Sequence, residues 1–194
     1  MPDREWEGQT AFVIGGGTSL RGFDASVLRG KNIIAVNESG LTLTPWADVL
    51  FFADRQRHRW NADRMLLHEG RFKVTRSAGA ARAPEGVKLV QFRCNEPFST
   101  RPWQVSGWCG GGSSLNLAAH FGASRIVLLG FDMAGLDFHD MHHNHGPESR
   151  YAEKFIPAIE VMAPGLKARG IEVLNATPGS RLTCFKRVEL QDVL

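Results

Sequence analysis

The chain has 194 residues, of which 43% are hydrophobic, and it carries a formal net charge of +3. This length suits one domain with one core, and the hydrophobic fraction excludes a wholly disordered chain. The longest apolar runs are too short to cross a bilayer, and the polar start of the chain has no signal-peptide pattern. We therefore expect a single cytoplasmic domain spanning residues 1–194.

The number of cysteines indicates the redox compartment, and the net charge indicates the kind of ligand. Cys94, Cys109 and Cys184 are odd in number and lack paired spacing, which favours a reducing compartment over a disulfide framework. We interpret Cys109 as a buried or incidental residue rather than a reactive thiol. The mild basicity favours an anionic or phosphorylated ligand, but basic residues scattered along the sequence do not establish nucleic-acid binding.

Short apolar runs alternate with amphipathic stretches along the chain, a pattern typical of βαβ units. The predicted strands are 10–14, 33–36, 49–53, 71–75, 87–92, 125–129, 171–174 and, in the tail, 182–188. The predicted helices are a short one from the glycine-rich turn to about residue 28, then 57–69, 113–121 and a kinked or broken helix over 149–168. The sequence therefore predicts an α/β, Rossmann-like fold with a mostly parallel open sheet and helices on both faces.

The turn after the first predicted strand is the strongest local signal for a ligand. Gly15, Gly16 and Gly17 allow backbone N–H groups to approach a phosphate, and Thr18 and Ser19 follow with hydroxyl groups. A helix beginning here adds a partial positive charge at its N-terminus. We predict that this turn binds the phosphate of a nucleotide.

Two standard phosphate motifs do not match this turn. It is not a P-loop, because no Gly-Lys-Ser/Thr sequence follows it. Leu20 stands where the dinucleotide fingerprint has its third glycine, although Glu38 lies near the expected ribose-binding acid. Nicotinamide binding therefore remains only a minor alternative.

Several polar residues follow predicted strands, at the edge of an open α/β sheet where ligands bind. The amide of Asn37 suits a base or a sugar edge. Asp54 and Asp132 suit a metal ion or a sugar hydroxyl, and equally suit a helix N-cap. A second turn, Gly110-Gly111-Gly112-Ser113, resembles a further phosphate- or sugar-binding turn at the start of the helix predicted after residue 112. Its candidate binding residues are Gly112, Ser113 and Ser114.

A histidine-rich loop follows the strand at 125–129. It contains His139, His142, His143 and His145. A neutral imidazole is a suitable general base near pH 7, and the spacing fits neither HExxH nor a Cys/His finger. We therefore favour one histidine as a base over a metal site, with a solvated polar loop as the alternative.

Candidate side chains for the leaving group and for stacking lie on either side of this loop. Arg150 and Tyr151 suit the neutralisation of a leaving phosphate, and equally suit a solvated helix start. Trp103 and Trp108 in the long loop before the second glycine-rich turn suit stacking on a base or sugar, with core packing as an equal alternative.

The order of these motifs resembles a known group of proteins. The quoted segments are Val13–Leu20 (VIGGGTSL), Ile34–Asn37 (IAVN), Phe51–Asp54 (FFAD), the stretch from Leu115 to Asp132, and Asn175–Ser180 (NATPGS). This set resembles the DUF115-type proteins, including the central domain of motility-associated flagellin glycosylation factors. It is also similar to the bacterial sialyltransferases of glycosyltransferase family 42, to archaeal hydroxymethylpterin pyrophosphokinases and to small phage proteins.

This resemblance implies roles for particular residues. By analogy with the sialyltransferases, Gly15–Ser19 and Asn37 hold the nucleotide, the turn at 112–114 contacts it, and a loop histidine is the base. Thr18 replaces the usual proline, and Tyr151 is the chain's single tyrosine.

The expected function is transfer from a nucleotide-activated donor, in particular glycosyl transfer from a CMP-, UDP- or GDP-linked sugar. The acceptor is open among a glycan, a protein and modified DNA. One alternative is a pyrophosphokinase-like enzyme that uses ATP and magnesium, with Asp54 or Asp132 on the metal. The other is a non-catalytic nucleotide-binding phage accessory protein.

Overall fold

One sheet of nine parallel strands organises the molecule in the computed structural model, which describes residues 4–53, 63–77, 83, 85–93, 96–135, 137–139 and 149–194. The strands are β1 (Thr10–Ile14), β2 (Asn32–Val36), β3 (Val49–Phe52), β4 (Phe72–Ser77), β5 (Val87–Phe92), β6 (Gln104–Val105), β7 (Arg125–Leu129), β8 (Glu172–Asn175) and β9 (Lys186–Arg187). Their order across the sheet is β6-β5-β4-β3-β2-β1-β7-β8-β9, and each adjacent pair is parallel. The predicted α/β, Rossmann-like fold is confirmed.

The central strands are apolar because both faces of the sheet are covered. In β1, Val13 packs on one face while Phe12 and Ile14 pack on the other, and all three are at most 1% exposed. The first face carries α1 (Gly110–His120), α2 (Ile156–Glu160) and α3 (Ala163–Ala168). In the described part of the chain, short turns, the helical residues 63–66 and the C-terminal segment cover the second face. No described helix is long and apolar enough to span a membrane.

Some elements differ from the sequence prediction. Two short 3-10 helices, Thr18–Leu20 and Ala25–Leu28, replace the helix expected after the glycine-rich turn. Gly22 between them has a φ of 69°, which no right-handed helix accommodates. The two-residue strand β6 was not predicted, because a strand this short has no periodicity to detect.

The broken helix predicted over 149–168 is present as separate pieces. A π-helical turn at Tyr151–Phe155 leads into α2, and α3 follows after residues 161 and 162. Pro157 and Pro164 lie in the first turns of α2 and α3, where a proline nitrogen needs no hydrogen bond. Of the helix predicted at 57–69, residues 57–62 lie outside the described residues.

The strand order creates one topological switch point. The chain runs outwards from β1 to β6, then returns so that β7 pairs with the other side of β1. In open α/β sheets the crevice at the carboxyl ends of the strands around such a reversal is where ligands bind. The carboxyl ends of β1 and β7 lead directly into the residue 15–19 turn and into Gly130-Phe131-Asp132.

Candidate functional site

A cavity of about 140 Å³ opens at this switch point. Its lining comes from the turn after β1, the end of β2, the start of α1, the segment after β7 and the π-helical turn before α2. The lining residues are Gly15, Gly16, Gly17, Val36, Asn37, Glu38, Cys109, Gly110, Gly111, Gly130, Phe131, Met133, Ala134, Asp137, His139, Tyr151 and Phe155. The structure therefore brings together the glycine-rich turn, Asn37, one loop histidine and Tyr151.

The three glycines of the first turn have different reasons to be glycine. A Cβ at Gly15 would lie 2.5 Å from the carbonyl oxygen of Gly130, and one at Gly17 would lie 1.9 Å from Oδ2 of Asp132. A Cβ at Gly16 would meet only the Asp137 carboxyl, at 3.2 Å from Oδ1. Close packing across the crossover thus explains Gly15 and Gly17, whereas Gly16 borders the cavity with space for a ligand.

The hydroxyl groups of the first turn bind Asp132. Thr18 Oγ1 donates to Oδ1 at 3.1 Å, and Ser19 Oγ donates to Oδ2 at 2.7 Å. The backbone N–H of Ser19 also donates to Oδ1, at 2.8 Å. Thr18, Ser19 and Asp132 do not line the cavity, and their hydrogen bonds shape the turn; their contact with a ligand stays a prediction.

The helix N-terminus at the cavity belongs to α1 rather than to the first turn. Gly110 and Gly111 lie in its first turn, where backbone N–H groups have no partner within the helix. They carry the positive end of the helix dipole. The Cys109 sulfur accepts a hydrogen bond from the Gly112 N–H at 3.3 Å, and burial raises the pKa of this thiol. Cys109 therefore caps the helix as a neutral thiol.

Close packing also accounts for the two half-buried glycines of this helix start, Gly110 and Gly111. A Cβ at Gly110 would lie 2.8 Å from Val36 Cγ1, and one at Gly111 would lie 2.7 Å from Phe131 Cε1. The backbone of α1 thus approaches the ends of β2 and β7 more closely than any side chain would allow. As a result, amide groups rather than side chains form this wall of the cavity.

Only the first two residues of the second predicted turn, Gly110 and Gly111, line the cavity. Ser113 Oγ donates to the carbonyl oxygens of Ser106 and Gly107, and Ser114 Oγ donates to that of Gly110. Both serines are fully buried, and Gly112 is engaged by Cys109. Within this turn the cavity is therefore lined by Gly110 and Gly111, and contact of Gly112, Ser113 and Ser114 with a ligand stays a prediction. The prediction began the helix at 113 because glycine is a poor helix former.

Two hydrogen-bond acceptors without partners lie at the end of β2. Asn37 has a φ of 56°, a left-handed conformation that asparagine tolerates, and its Oδ1 is buried without a hydrogen bond. Glu38 is 1% exposed; one of its oxygens accepts from Arg64 Nη2 at 2.7 Å, whereas Oε2 is buried without a partner. Because an unpaired buried acceptor is costly, these atoms suit a ligand that brings hydroxyl or amine donors.

The loop after β7 folds back over the first turn. The Phe138 N–H donates to the Gly16 carbonyl at 2.8 Å, and Asp137 forms an antiparallel bridge with Gly17. This pairing places His139 in the cavity wall. His142, His143 and His145 lie outside the described residues, as does Asp54.

Tyr151 reaches the cavity from the π-helical turn, a type of turn often found at functional sites. Its ring makes an edge contact with Phe155, at 5.3 Å between ring centroids. Arg150 is exposed and does not line the cavity. Of the two residues expected to neutralise a leaving phosphate, only Tyr151 therefore lines the cavity.

The charge of the cavity comes from acids and from the helix dipole. Glu38 and Asp137 are among the described lining residues, and no Lys or Arg is. Within the described residues there is no group of three or more His, Cys, Asp and Glu side chains that could hold a metal ion. An anionic group bound here would therefore have to lie at the amide wall of α1, away from the two carboxylates.

No family model, curated protein or solved structure matches this chain.

Proposed function

We propose that the protein is a transferase that binds a nucleotide-activated donor, most specifically a glycosyltransferase with a nucleotide-sugar donor. The observation that carries this proposal is the convergence of four features at one switch-point cavity. These are the glycine-rich turn, the amide groups at the start of α1, the unpartnered acceptors of Asn37 and Glu38, and a histidine. Ligand sites in open α/β sheets occur at this place.

The donor's parts suit different walls of the cavity. The phosphate suits the amide groups of Gly110 and Gly111, because a helix N-terminus attracts anions. The sugar hydroxyls or the base amine suit Asn37 Oδ1 and Glu38 Oε2, which are acceptors that lack a donor. Cavities that bind whole small-molecule ligands measure about 300–1,000 Å³, so the enclosed space fits part of the nucleotide and the rest extends outwards.

The proposed reaction uses the histidine as the base. His139 takes the proton of the acceptor hydroxyl, the acceptor oxygen attacks the anomeric carbon of the donor, and the bond from that carbon to the phosphate oxygen breaks. The departing phosphate gains negative charge, which the amide groups of α1 and the Tyr151 hydroxyl are suited to stabilise. The imidazole then releases the proton taken from the acceptor to solvent and returns to its neutral form.

One observation favours a second candidate, a pyrophosphokinase-like enzyme that uses ATP and magnesium. The described lining contains two carboxylates and no Lys or Arg, and a triphosphate in such a cavity needs a divalent cation to offset its charge. Asp132 already accepts hydrogen bonds from Ser19 in the first turn, so Asp137 is the described carboxylate better suited to this cation.

Calorimetric titration with CMP, CDP, UDP, GDP and ADP, with and without magnesium, tests the proposal. We expect one of these nucleotides to bind in a way that Gly16→Ala weakens. No binding at millimolar nucleotide would refute it. Binding of ATP alone, dependent on magnesium, would favour the second candidate. Tight binding without turnover, unaffected by His139→Ala, would identify a non-catalytic nucleotide sensor instead.

A further inference from the structure

The positive charge of the chain is concentrated at one lateral edge of the sheet. The described residues 71–77, 85–93 and 96–105 contain six Lys or Arg and two Glu, a net charge of +4, compared with +3 for the whole sequence; of these cations, Arg71 pairs with Glu5. These residues include β4, β5 and β6, the three strands at one end of the strand order. Pairing of β4, β5 and β6 places these charges at one edge of the sheet, and this edge attracts anions.

Exposed aromatic rings lie at the same edge. The side chains of Trp103 and Trp108 are 42% and 60% exposed. Phe92 contacts Trp108 edge to face, with ring centroids 6.1 Å apart, and the Arg76 guanidinium lies 4.0 Å from the centroid of the Phe92 ring. We call this surface the aromatic-basic edge; it consists of Arg76, Phe92, Arg93, Arg101, Trp103 and Trp108.

Backbone contacts hold the aromatic-basic edge in place. The Gln91 N–H donates to the Trp103 carbonyl at 2.7 Å, and the Arg93 N–H donates to that of Val105 at 3.0 Å. Arg93, directly after β5, and Arg101, two residues before Trp103, both have exposed side chains. A ligand at this surface meets a largely preformed set of groups.

Arg76 fixes Trp108 and stays charged. Its guanidinium donates to the Trp108 carbonyl at 3.2 Å and to the Ser113 hydroxyl at 2.6 Å. Burial lowers the pKa of Arg76 to about 10, which leaves it protonated at neutral pH. It forms no ion pair with a carboxylate of the described residues. The edge thus contains a cation that an external anion can balance.

A contribution to the stability of the fold does not explain why residue 103 is a tryptophan. Its φ of 62° places a bulky side chain in the left-handed region, where the backbone of a non-glycine residue is strained. The exposed ring recovers little of this cost through burial. An exposed aromatic residue on strained backbone fits a surface that contacts a ligand.

We propose that the aromatic-basic edge binds single-stranded nucleic acid. Unpaired bases stack on exposed aromatic rings, and arginines neutralise the phosphates between them. A duplex does not expose its base faces, and a neutral glycan would not use the charge of this edge. Binding here does not depend on the proposed function, which concerns the cavity. If both hold, the strand is the acceptor, because Trp108 immediately precedes Cys109 and Gly110 in the cavity wall.

Fluorescence anisotropy of a labelled oligothymidylate of about 15 nucleotides tests this proposal. We expect Trp108→Ala and Trp103→Ala each to weaken binding about ten-fold. The double variant R93A/R101A should flatten the dependence of log affinity on log salt by about 0.7 for each phosphate that the variant no longer neutralises. The matched control R125A/K186A removes two exposed charges elsewhere, on β7 and β9, and should leave affinity and salt slope nearly unchanged.

Three results would overturn the proposal: no binding at low salt, equal losses of affinity in R125A/K186A and R93A/R101A, or an unchanged affinity in both tryptophan variants. Stronger binding of a sulfated glycan than of the oligonucleotide, insensitive to the tryptophan variants, would also overturn it and identify a purely electrostatic surface. Titration of Trp108→Ala with the nucleotide that the cavity binds is an independent check. Its affinity should be retained, so failure at the edge and failure at the cavity remain distinguishable.

Discussion

Ser19 and Asp132 are joined by two hydrogen bonds across the switch point of the sheet. The Ser19 N–H donates to Oδ1 at 2.8 Å, and the Ser19 hydroxyl donates to Oδ2 at 2.7 Å. Asp132 comes from the segment after β7, whereas Ser19 belongs to the turn after β1. One buried carboxylate thus fixes the turn relative to the neighbouring strand, and the shape of the cavity depends on it.

We expect Asp132→Ala to lower the free energy of unfolding by about 3 kcal/mol, because hydrogen bonds to a charged group are worth about 1.5–3 kcal/mol each and the turn is left with unpaired donors. Urea denaturation measures this change. A double-mutant cycle with Ser19→Ala should give a coupling energy of about 1–2 kcal/mol. Additive effects of the two substitutions would show that the residues act independently.

Gly15 and Gly16 should respond differently to alanine. At Gly15 a methyl group would meet the backbone of Gly130, so Gly15→Ala should destabilise the protein by about 2 kcal/mol or more. At Gly16 it would meet only the flexible Asp137 carboxyl, so Gly16→Ala should keep its melting temperature and lose nucleotide affinity. Thermal unfolding and calorimetry on both variants check this. Unchanged affinity in a folded Gly16→Ala variant would exclude the first turn from the binding site.

Glu38 Oε2 is expected to accept a hydrogen bond from a ribose hydroxyl, because it is a buried acceptor without a partner in the cavity wall. Removing the 2′- or the 3′-hydroxyl from the nucleotide that binds best should then weaken binding to the wild-type protein about ten-fold. The Glu38→Ala variant should bind the deoxy analogue at least as tightly as it binds the parent nucleotide. Equal discrimination by both proteins would place the ribose elsewhere. The circular dichroism spectrum of the variant controls for its fold.

Two histidines outside the cavity should make the protein less stable in mild acid. Burial lowers the pKa of both His68 and His120. The His68 ring donates to the carbonyl oxygen of Gly40, and the His120 ring donates to that of Gln104. The unfolded chain binds protons as the pH falls through about 6.5, whereas the folded state resists them. The free energy of unfolding should therefore fall between pH 7 and pH 5.

Urea denaturation at the two pH values measures this effect. His68→Gln and His120→Gln should each reduce the decrease in stability between pH 7 and pH 5, because each removes one group whose protonation differs between the folded and unfolded states. A decrease as large as that of the wild-type protein in both variants would assign the pH dependence to other groups.

Two tryptophans should differ sharply in their contribution to stability. Trp6 is 4% exposed and stacks on Phe121 with ring centroids 4.3 Å apart, so Trp6→Ala should cost about 3–5 kcal/mol. Trp103→Asn should change stability by less than about 0.5 kcal/mol or increase it, because asparagine tolerates the left-handed φ. Chemical denaturation compares the two variants. A large destabilisation in Trp103→Asn would mean that its ring is structural.

The sequence predicted the central strands well, because their periodicity and burial are local properties. β1, β5 and β7 match their predicted bounds, and β2, β3, β4 and β8 differ by one or two residues at their ends. The short 3-10 helices after the first turn and the strand β6 were not predicted. Such elements have too few residues for a pattern, and contacts with distant parts of the chain decide them.

For the cavity, the sequence identified the glycine-rich turn, Asn37, one of the loop histidines and Tyr151, since strand ends in a parallel sheet share an edge. It included Gly110 and Gly111 in the second glycine-rich turn, but it did not single out Asp137, which also lines the cavity. Nor did it show that Thr18, Ser19 and Asp132 bind one another. Whether a polar group faces a ligand or a neighbour depends on which segments meet across the crossover.

By itself, the sequence determined that alternating apolar and amphipathic segments form a parallel sheet with glycine-rich turns at strand ends. Only the tertiary structure decided which turn presents amide groups to the cavity, which carboxylate already accepts hydrogen bonds, and that the charges of β4, β5 and the residues before β6 lie on one edge with two exposed tryptophans. The physical reason is that hydrogen bonding and electrostatics act over a few ångströms in space, and residues more than 100 positions apart, such as Ser19 and Asp132, become neighbours only when the strands pair.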